Sequence, residues 1–355
     1  MLKSLYIKNF RLFKELKIER LERVNLIVGK NNSGKTGLLE ALLIYATNAA
    51  PDLLEALISQ RSENWETKDR QKADNNPLRH LFYGRHFPQA NDDEIQIGPL
   101  NPQNNRIHLR IRHYQRLENE QGAYRLMPID EHNDLVDVFM ALEFQESCDS
   151  KPLLLSSMEA QRNFQTPKAK MDVEFVSTGR NSKRIAELWD NINLTDLKEE
   201  VVAALKIIEP SIRDVGLTIG NDNKRFVIVR LNGSSARLSL ESLGEGMSRL
   251  FHLTLALVNS SNGFLLIDEF ENGLHYTVLP LVWKLIFRLA KDLNVQVFAT
   301  THSHDCVTAF QAASQNETTL FRLGRSRRKS DKGKIIAIEY DKEELQLVAE
   351  SEVRG

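Results

Sequence analysis

The sequence predicts an α/β fold built on a central sheet, because three short apolar runs each end abruptly in residues that carry chemistry. Val24-Asn25-Leu26-Ile27-Val28 runs straight into Gly29-Lys30-Asn31-Asn32-Ser33-Gly34-Lys35-Thr36. Phe264-Leu265-Leu266-Ile267 ends in Asp268-Glu269, and Val295-Gln296-Val297-Phe298-Ala299-Thr300-Thr301 ends in His302-Ser303. Nearly unbroken apolar runs of this length suit strands buried on both faces, and ligands of such sheets gather at the strands' carboxyl ends.

Taken along the chain, Leu5-Tyr6-Ile7 and Leu16-Lys17-Ile18 read as paired strands around Asn9-Phe10-Arg11-Leu12-Phe13, ahead of the Val24–Val28 strand. That third strand gives way to a G-x-x-x-x-G-K-T pattern leading into the apolar stretch Gly37-Leu38-Leu39-Glu40-Ala41-Leu42-Leu43. The glycines let the backbone curl so that successive N–H groups face an anion, and the helix start adds its positive end. Gly29, Asn31, Asn32, Ser33, Gly34, Lys35 and Thr36 are therefore the candidate binding residues for a nucleoside triphosphate. Lys35 supplies a charge to the β/γ-phosphates and Thr36 a hydroxyl to Mg²⁺. A chance match in an ordinary loop is the competing reading, and the strand before and helix after stand against it.

The helix is expected from about Lys35 to Thr47. From Ala49 to about Gln89 the chain is polar, leans to helix and is punctuated by Pro51, Pro77 and Pro88, which reads as an inserted helical segment. Ile95–Ile97, Ile107–Ile111 and Val136–Phe144 alternate apolar with polar residues, as half-buried antiparallel strands do. Ser147 to Lys170 reads as loop, and Val173–Val176 as a strand. Arg184 to Ile208 places apolar residues at helical spacing, interrupted at Asn193-Leu194-Thr195, and so predicts two helices. Strands Val215–Ile219 and Phe226–Leu231 come next.

Ser242-Leu243-Gly244-Glu245-Gly246 then opens an apolar helix, a glycine-rich turn at a helix start that suits an anion or a mere cap. The Asp268-Glu269 strand end places one carboxylate for a metal and the next to polarise water; a solvated acidic turn is the alternative. His302, past the third run, can reach a γ-phosphate or the attacking water. His252, His275 and His304 read as packing or surface residues. A helix, strands Thr319–Leu323 and Lys334–Tyr340 and a short helix from Asp341 complete the chain.

Composition excludes several classes. Lys plus Arg number 47 against 48 Asp plus Glu, so no global field points to nucleic acid or an anionic membrane. The only cysteines are Cys148 and Cys306, which form no disulfide framework or zinc knuckle and suit a reducing, cytoplasmic setting. No signal peptide and no membrane span is read, and heptads are not sustained enough for a long coiled coil. Arg322-Leu323-Gly324-Arg325-Ser326-Arg327-Arg328-Lys329-Ser330, with Lys332 and Lys334, is the strongest charge cluster. It reads first as a solvated basic hairpin loop, with nucleic-acid phosphates or an acidic partner as the competing use.

The order of these parts resembles the P-loop NTPase heads of the ABC type, in their SMC and RecF-like branch. It is most similar to the OLD-like (overcoming lysogenization defect) ATPases. Leu5–Phe13, Asn31–Thr36, Asp268-Glu269-Phe270-Glu271-Asn272-Gly273-Leu274-His275 and Thr300–Ser303 carry the resemblance, while about Ala49–Lys170 matches only loosely. It implies a mixed central sheet, an antiparallel β-subdomain and a helical insertion. Residues 1–48 and 171–355 would form the head and 49–170 the insertion plus the head's antiparallel strands. Lys35 is then the phosphate lysine, Thr36 and Asp268 the Mg²⁺ ligands, Glu269 the base and His302 the switch histidine. Ser242, Gly244 and Gly246 would meet the γ-phosphate held by a second copy, making ATP the glue of a homodimer or higher oligomer. Gly244 stands where the transporter signature has serine, and the glutamine loop falls at either Gln145 or Ser177-Thr178-Gly179-Arg180.

OLD proteins carry a TOPRIM nuclease domain, which the residues after His302 are not expected to form. The resemblance therefore implies a separate effector, a TOPRIM-type nuclease among the candidates, in phage defence or DNA repair, with DNA a further possible partner. Competing readings are the energising subunit of a membrane transporter, which would co-purify with membranes, and an ATP sensor that does not hydrolyse, against which the Asp268-Glu269 pair argues. A ring-forming AAA motor fits less well, because no arginine-finger pattern stands out.

Overall fold

The computed structural model describes residues 1–63, 76–88, 93–118, 124–129, 138–146, 149–154, 168–179, 182–220, 224–314, 317–331 and 333–340. Strand β1 (Leu5–Phe10) turns through Arg11-Leu12 into β2 (Phe13–Ile18), and the two pair antiparallel from Leu5 opposite Ile18 to Phe10 opposite Phe13. Strand β3 (Val24–Val28) feeds helix α1 (Lys35–Ala46), every residue of which but Thr36 is buried. Helix α2 (Pro51–Gln60) starts at a proline, whose fixed φ suits a first turn. Short 3₁₀ turns stand at Pro77–Leu81 and Tyr83–Arg85.

Strands β4 (Ile95–Gly98), β5 (Ile107–Glu118), β6 (Tyr124–Ile129), β7 (Val138–Glu146) and β8 (Asp149–Leu154) come next. They join β1 and β2 in a seven-stranded antiparallel sheet ordered β2-β1-β4-β5-β7-β8, with β6 paired to β5. Strand β8 corrects the loop expected over 147–170. Its polar Asp-Ser-Lys-Pro start hides the period of a strand, but at the sheet's edge Pro152 opposite Glu143 is tolerated.

Beyond these lie β9 (Val173–Val176), α3 (Ser182–Ile192) and α4 (Leu197–Leu205), the two helices separated where the Asn193–Thr195 break predicted. A three-stranded sheet, β10 (Ile212–Ile219), β11 (Arg225–Leu231) and β12 (Arg237–Ser239), precedes a 3₁₀ turn at Leu240–Leu243 and helix α5 (Glu245–Val258). Strand β13 (Phe264–Ile267), α6 (Leu279–Asp292), β14 (Gln296–Thr301), α7 (His304–Ala313), β15 (Thr318–Arg325) and β16 (Ile335–Tyr340) complete the described chain. The helix expected from Asp341 lies outside the described residues.

The central sheet has six strands in the order β16-β15-β3-β14-β13-β9, parallel except for β16. Its residues alternate between two interiors. Val24, Leu26, Leu265, Ile267, Val297 and Ala299 face a core shared with α3 to α7. Ile27, Leu266, Phe298 and Phe321 face one shared with α1 and the antiparallel strands. A strand with two dry faces needs apolar residues at every position, which is why these runs lack alternation. The polar exceptions are satisfied. Buried Asn25 accepts from the Glu22 N–H and donates to the Glu22 and Val297 carbonyls, and buried Gln296 pins both the N–H and carbonyl of Leu2.

Candidate functional site

Three motif strands lie side by side with β14 between β3 and β13, so their carboxyl ends converge although β3 precedes the other two by more than two hundred residues. At the end of β3 the loop turns through Asn32, at φ 61°, and Gly34, at φ 97°, before α1 starts at Lys35. A Cβ on Gly34 would stand 2.9 Å from the buried Phe13 ring, so that glycine answers both a left-handed turn and a wedge beneath the loop. The Leu38 N–H bonds the Gly34 carbonyl, which leaves the N–H groups of the first turn for an anion.

Lys35 is buried, and its Nζ donates to the carbonyls of Gly29 at 2.6 Å and Lys30 at 3.2 Å. Burial lowers its pKa below the ordinary lysine value, and the carboxylates of Asp268, Glu269 and Glu271 oppose that. The Thr36 hydroxyl donates to Asp268 Oδ2 at 2.9 Å, and Thr300 of β14 donates to Asp268 Oδ1 at 2.6 Å. Thr300 also accepts from the Glu269 N–H at 2.9 Å, fixing the turn in which Glu269 takes φ 49°.

His302 stands just past β14. Its N–H donates to Glu271 Oε1 at 3.1 Å, and its Nδ1 lies 3.2 Å from that same oxygen and 4.0 Å from Glu269 Oε1. Lys35, Thr36, Asp268 and Glu269 line one cleft of about 340 Å³ with Asn31, Asn32, Ser33 and Gly34. That volume suits a nucleotide-sized ligand. Arg11, Arg61, His80 and Arg85 line its other wall, with Arg11 buried between Glu40 and Glu63.

A hydroxyl and a carboxylate oxygen within hydrogen-bond distance suit a small hard cation. Mg²⁺ keeps phosphate and water oxygens and needs only one or two protein ligands. No group of three or more His, Cys, Asp or Glu that could hold a metal stands among the described residues, and this kind of site requires none.

The structure does not bring Ser242, Gly244 and Gly246 to the cleft of their own chain. The Ser242 hydroxyl donates to the Ser239 carbonyl at 2.6 Å, and Ser242 and Gly244 are exposed at the start of α5. Gly246 has a further reason to lack a side chain, since a Cβ there would meet the Gly273 carbonyl oxygen at 2.8 Å. Of the glutamine-loop alternatives, Gln145 pairs with His108 in the antiparallel sheet, whereas the Ser177 carbonyl accepts from Arg249, which touches the Asp268 turn. Arg180 lies outside the described residues.

In the basic hairpin, Arg325, Arg327 and Arg328 are exposed, Lys334 is paired with Glu15 at 2.6 Å, and Lys332 lies outside the described residues. Lys334 and Lys17 hold the Glu15 carboxyl down to about 2.

Two residues at the Asp268 turn escaped the sequence reading. Arg249, 8% exposed on α5, donates through Nη1 to the Ser177 carbonyl at 2.8 Å and through Nη2 to the Asp268 and Glu269 carbonyls, both at 2.9 Å. Its signal was an arginine among Met247, Leu250 and Phe251 on the buried side of an apolar helix. Glu271 gave only a weak signal, as a third acid two residues past Glu269.

Residues 45–305 match the family described as "AAA domain, putative AbiEii toxin, Type IV TA system". The chain is 24% identical over 386 aligned residues, with 99% of each chain covered, to the "ATP/GTP phosphatase" of Helicobacter pylori. Its fold is similar to that of an Smc head bound to the C-winged helix domain of ScpA, with a TM-score of 0.51 at 14% identity and 98% and 99% of the two chains covered. It is also similar to an Smc head from Pyrococcus furiosus with an extended coiled coil, bound to the C-terminal domain of ScpA. That likeness has a TM-score of 0.50 at 13% identity and covers 100% of this chain and 99% of the other. The expected fold class, an ABC-type head with a mixed central sheet and antiparallel strands, is the one found.

Proposed function

This chain belongs to the AAA-domain family that it matches over most of its length, and from that premise we propose that it hydrolyses ATP in a homodimer held together by the nucleotide. The observation that carries the hydrolytic part of the reading is the 2.9 Å bond between Thr36 and Asp268, which joins the phosphate loop to the acidic strand end. The name of the Helicobacter pylori relative, an ATP/GTP phosphatase, supports it.

Bound Mg²⁺ would supply charge neutralisation to the phosphate oxygens. Thr36 and Asp268 would hold it, while the loop N–H groups and Lys35 bind the phosphates. Glu269, partly exposed at the cleft's rim with its main chain fixed by Thr300, accepts the proton of the attacking water. His302 orients that water or the γ-phosphate from the same edge. Ser242, Gly244 and Gly246, exposed or half-exposed and away from their own cleft, are placed by this reading against the phosphates of the second copy.

Residues 1–48 and 171–355 then act as the head and 49–170 as insertion and supporting strands. The named heads of similar fold bind a partner protein, ScpA, and this chain by the same reading engages a separate effector. A TOPRIM-type nuclease is the candidate, in phage defence or DNA repair, with DNA as a further contact. The family's description names a type IV toxin–antitoxin system, and this reading keeps the chain in the cytoplasm. No helix among the described residues is long and apolar enough to cross a membrane.

The test is to size the Glu269→Gln protein with and without ATP–Mg²⁺ while measuring phosphate release. A shift to dimer with turnover lost is expected. Unchanged size in a protein that was monomeric beforehand, or turnover at the parent rate, overturns the proposal.

A further inference from the structure

We propose that Glu271 is the positioning residue of His302, holding the ring by its Nδ1 proton so that Nε2 is the nitrogen offered to the reacting atoms. This rests on the ATPase reading above but is argued from separate contacts.

One carboxylate oxygen, Glu271 Oε1, accepts the main-chain N–H of His302 at 3.1 Å and lies 3.2 Å from the ring Nδ1. A carboxylate only accepts, so the nitrogen facing it carries the proton. The other ring nitrogen is left to act as an acceptor when neutral or as a donor when charged. Glu269 cannot do this work: its nearer oxygen is 4.0 Å from Nδ1, beyond hydrogen-bond reach, and its side chain is 41% exposed against 13% for Glu271.

Two further observations set Glu271 apart from an incidental neighbour. Its second oxygen, Oε2, is buried and finds no hydrogen-bond partner among the described residues. Desolvating a carboxylate oxygen without a partner is unfavourable, and structures keep such a group where it serves a site. Its charge is also central. It acts on Lys35, on Arg249 and on Cys306, so it lies within range of the phosphate lysine as well as the imidazole. A histidine whose second nitrogen is held by a carboxylate has its tautomer and ring angle fixed; at metal sites loss of such a partner typically lowers activity about 10–100-fold, and the same range is expected for an imidazole serving a phosphate.

The experiment combines kinetics with the ¹⁵N signature of the His302 ring in the full chain. In the parent, long-range ¹H–¹⁵N correlations are expected to show a protonated Nδ1. Glu271→Ala should move the ring toward the Nε2–H form and lower kcat about 10–100-fold, with KM for ATP within about threefold. Glu271→Gln, which keeps an acceptor oxygen and gives the buried second position an amide, should restore the Nδ1–H signature and most of the rate. Combining Glu271→Ala with His302→Ala should be no worse than His302→Ala alone, since the two act as a unit.

An Nε2–H ring in the parent, a kcat unchanged in Glu271→Ala, or losses that multiply in the double variant would overturn the assignment. The ring signature reads Glu271 even without turnover. A parent that binds ATP but never hydrolyses it refutes the ATPase reading and leaves the tautomer result to decide this one.

Discussion

Replacing Arg249 by methionine removes one side chain and releases three carbonyls on two separate segments. Its guanidinium bonds Ser177, Asp268 and Glu269 at 2.8, 2.9 and 2.9 Å. Hydrogen bonds to a charged donor contribute roughly 1.5–3 kcal/mol each. Against that stands the desolvation of a guanidinium that is 8% exposed, an expense of several kcal/mol that methionine escapes. Burial lowers the arginine's pKa, with Asp268, Glu271, Glu269 and Glu245 opposing the shift, so the desolvation is real and partly compensated. The difference comes to about 2–4 kcal/mol of lost stability. With an unfolding entropy of roughly 2.1 cal/mol/K per residue, the melting midpoint of 355 residues should fall by about 3–5 °C.

Turnover should suffer more than stability, because the freed carbonyls belong to the turn that aims Asp268 and Glu269. A loss of about 10–100-fold in kcat is expected. Thermal melting and phosphate release on the same preparation measure both. Arg249→Lys should recover part of each, since one ammonium reaches some of the carbonyls but cannot fork across them. A methionine variant that melts within about 1 °C of the parent and hydrolyses ATP equally fast would refute the clamp.

Gly246→Ala puts a methyl 2.8 Å from the Gly273 carbonyl oxygen, which must move. Thermal melting should report about 1–3 kcal/mol of lost stability, and sizing a weaker ATP-dependent dimer. His252 has its pKa lowered to about 4, by burial first and then by Arg249. The folded form therefore binds its proton later than the unfolded chain, and the stability present above pH 6.5 drains away as pH falls from 6.5 toward 4. His252→Gln should flatten that limb of a melting-temperature profile. Burial pushes the Cys306 thiol up to about 12, so peptide mapping after iodoacetamide at pH 8 should find it unmodified until the protein is unfolded.

What was legible in the sequence was whatever depends on local order. Val24–Val28, Phe264–Ile267 and Gln296–Thr301 declared themselves because strands dry on both sides must be apolar throughout, and each ended in residues with a chemical purpose. The phosphate loop was readable because its glycines are dictated within a few residues. Strand β8 was not, since an edge strand with a lysine and a proline is specified by its neighbour β7 and by nothing in its own period. Arg249 and Glu271 gave only faint signals for a related reason. Their partners lie on other segments, Ser177 and Asp268 for one and His302 for the other, and no spacing rule connects them.

Leu265 and Leu266 are adjacent in the chain, yet one belongs to the interior beneath α5 and α6 and the other to the interior around α1. The central sheet is in this sense a partition wall. Substitutions deep in one room, well away from the shared strands, are expected to add to those in the other, whereas changes in the strands themselves reach the phosphate loop and the glycine-rich helix together.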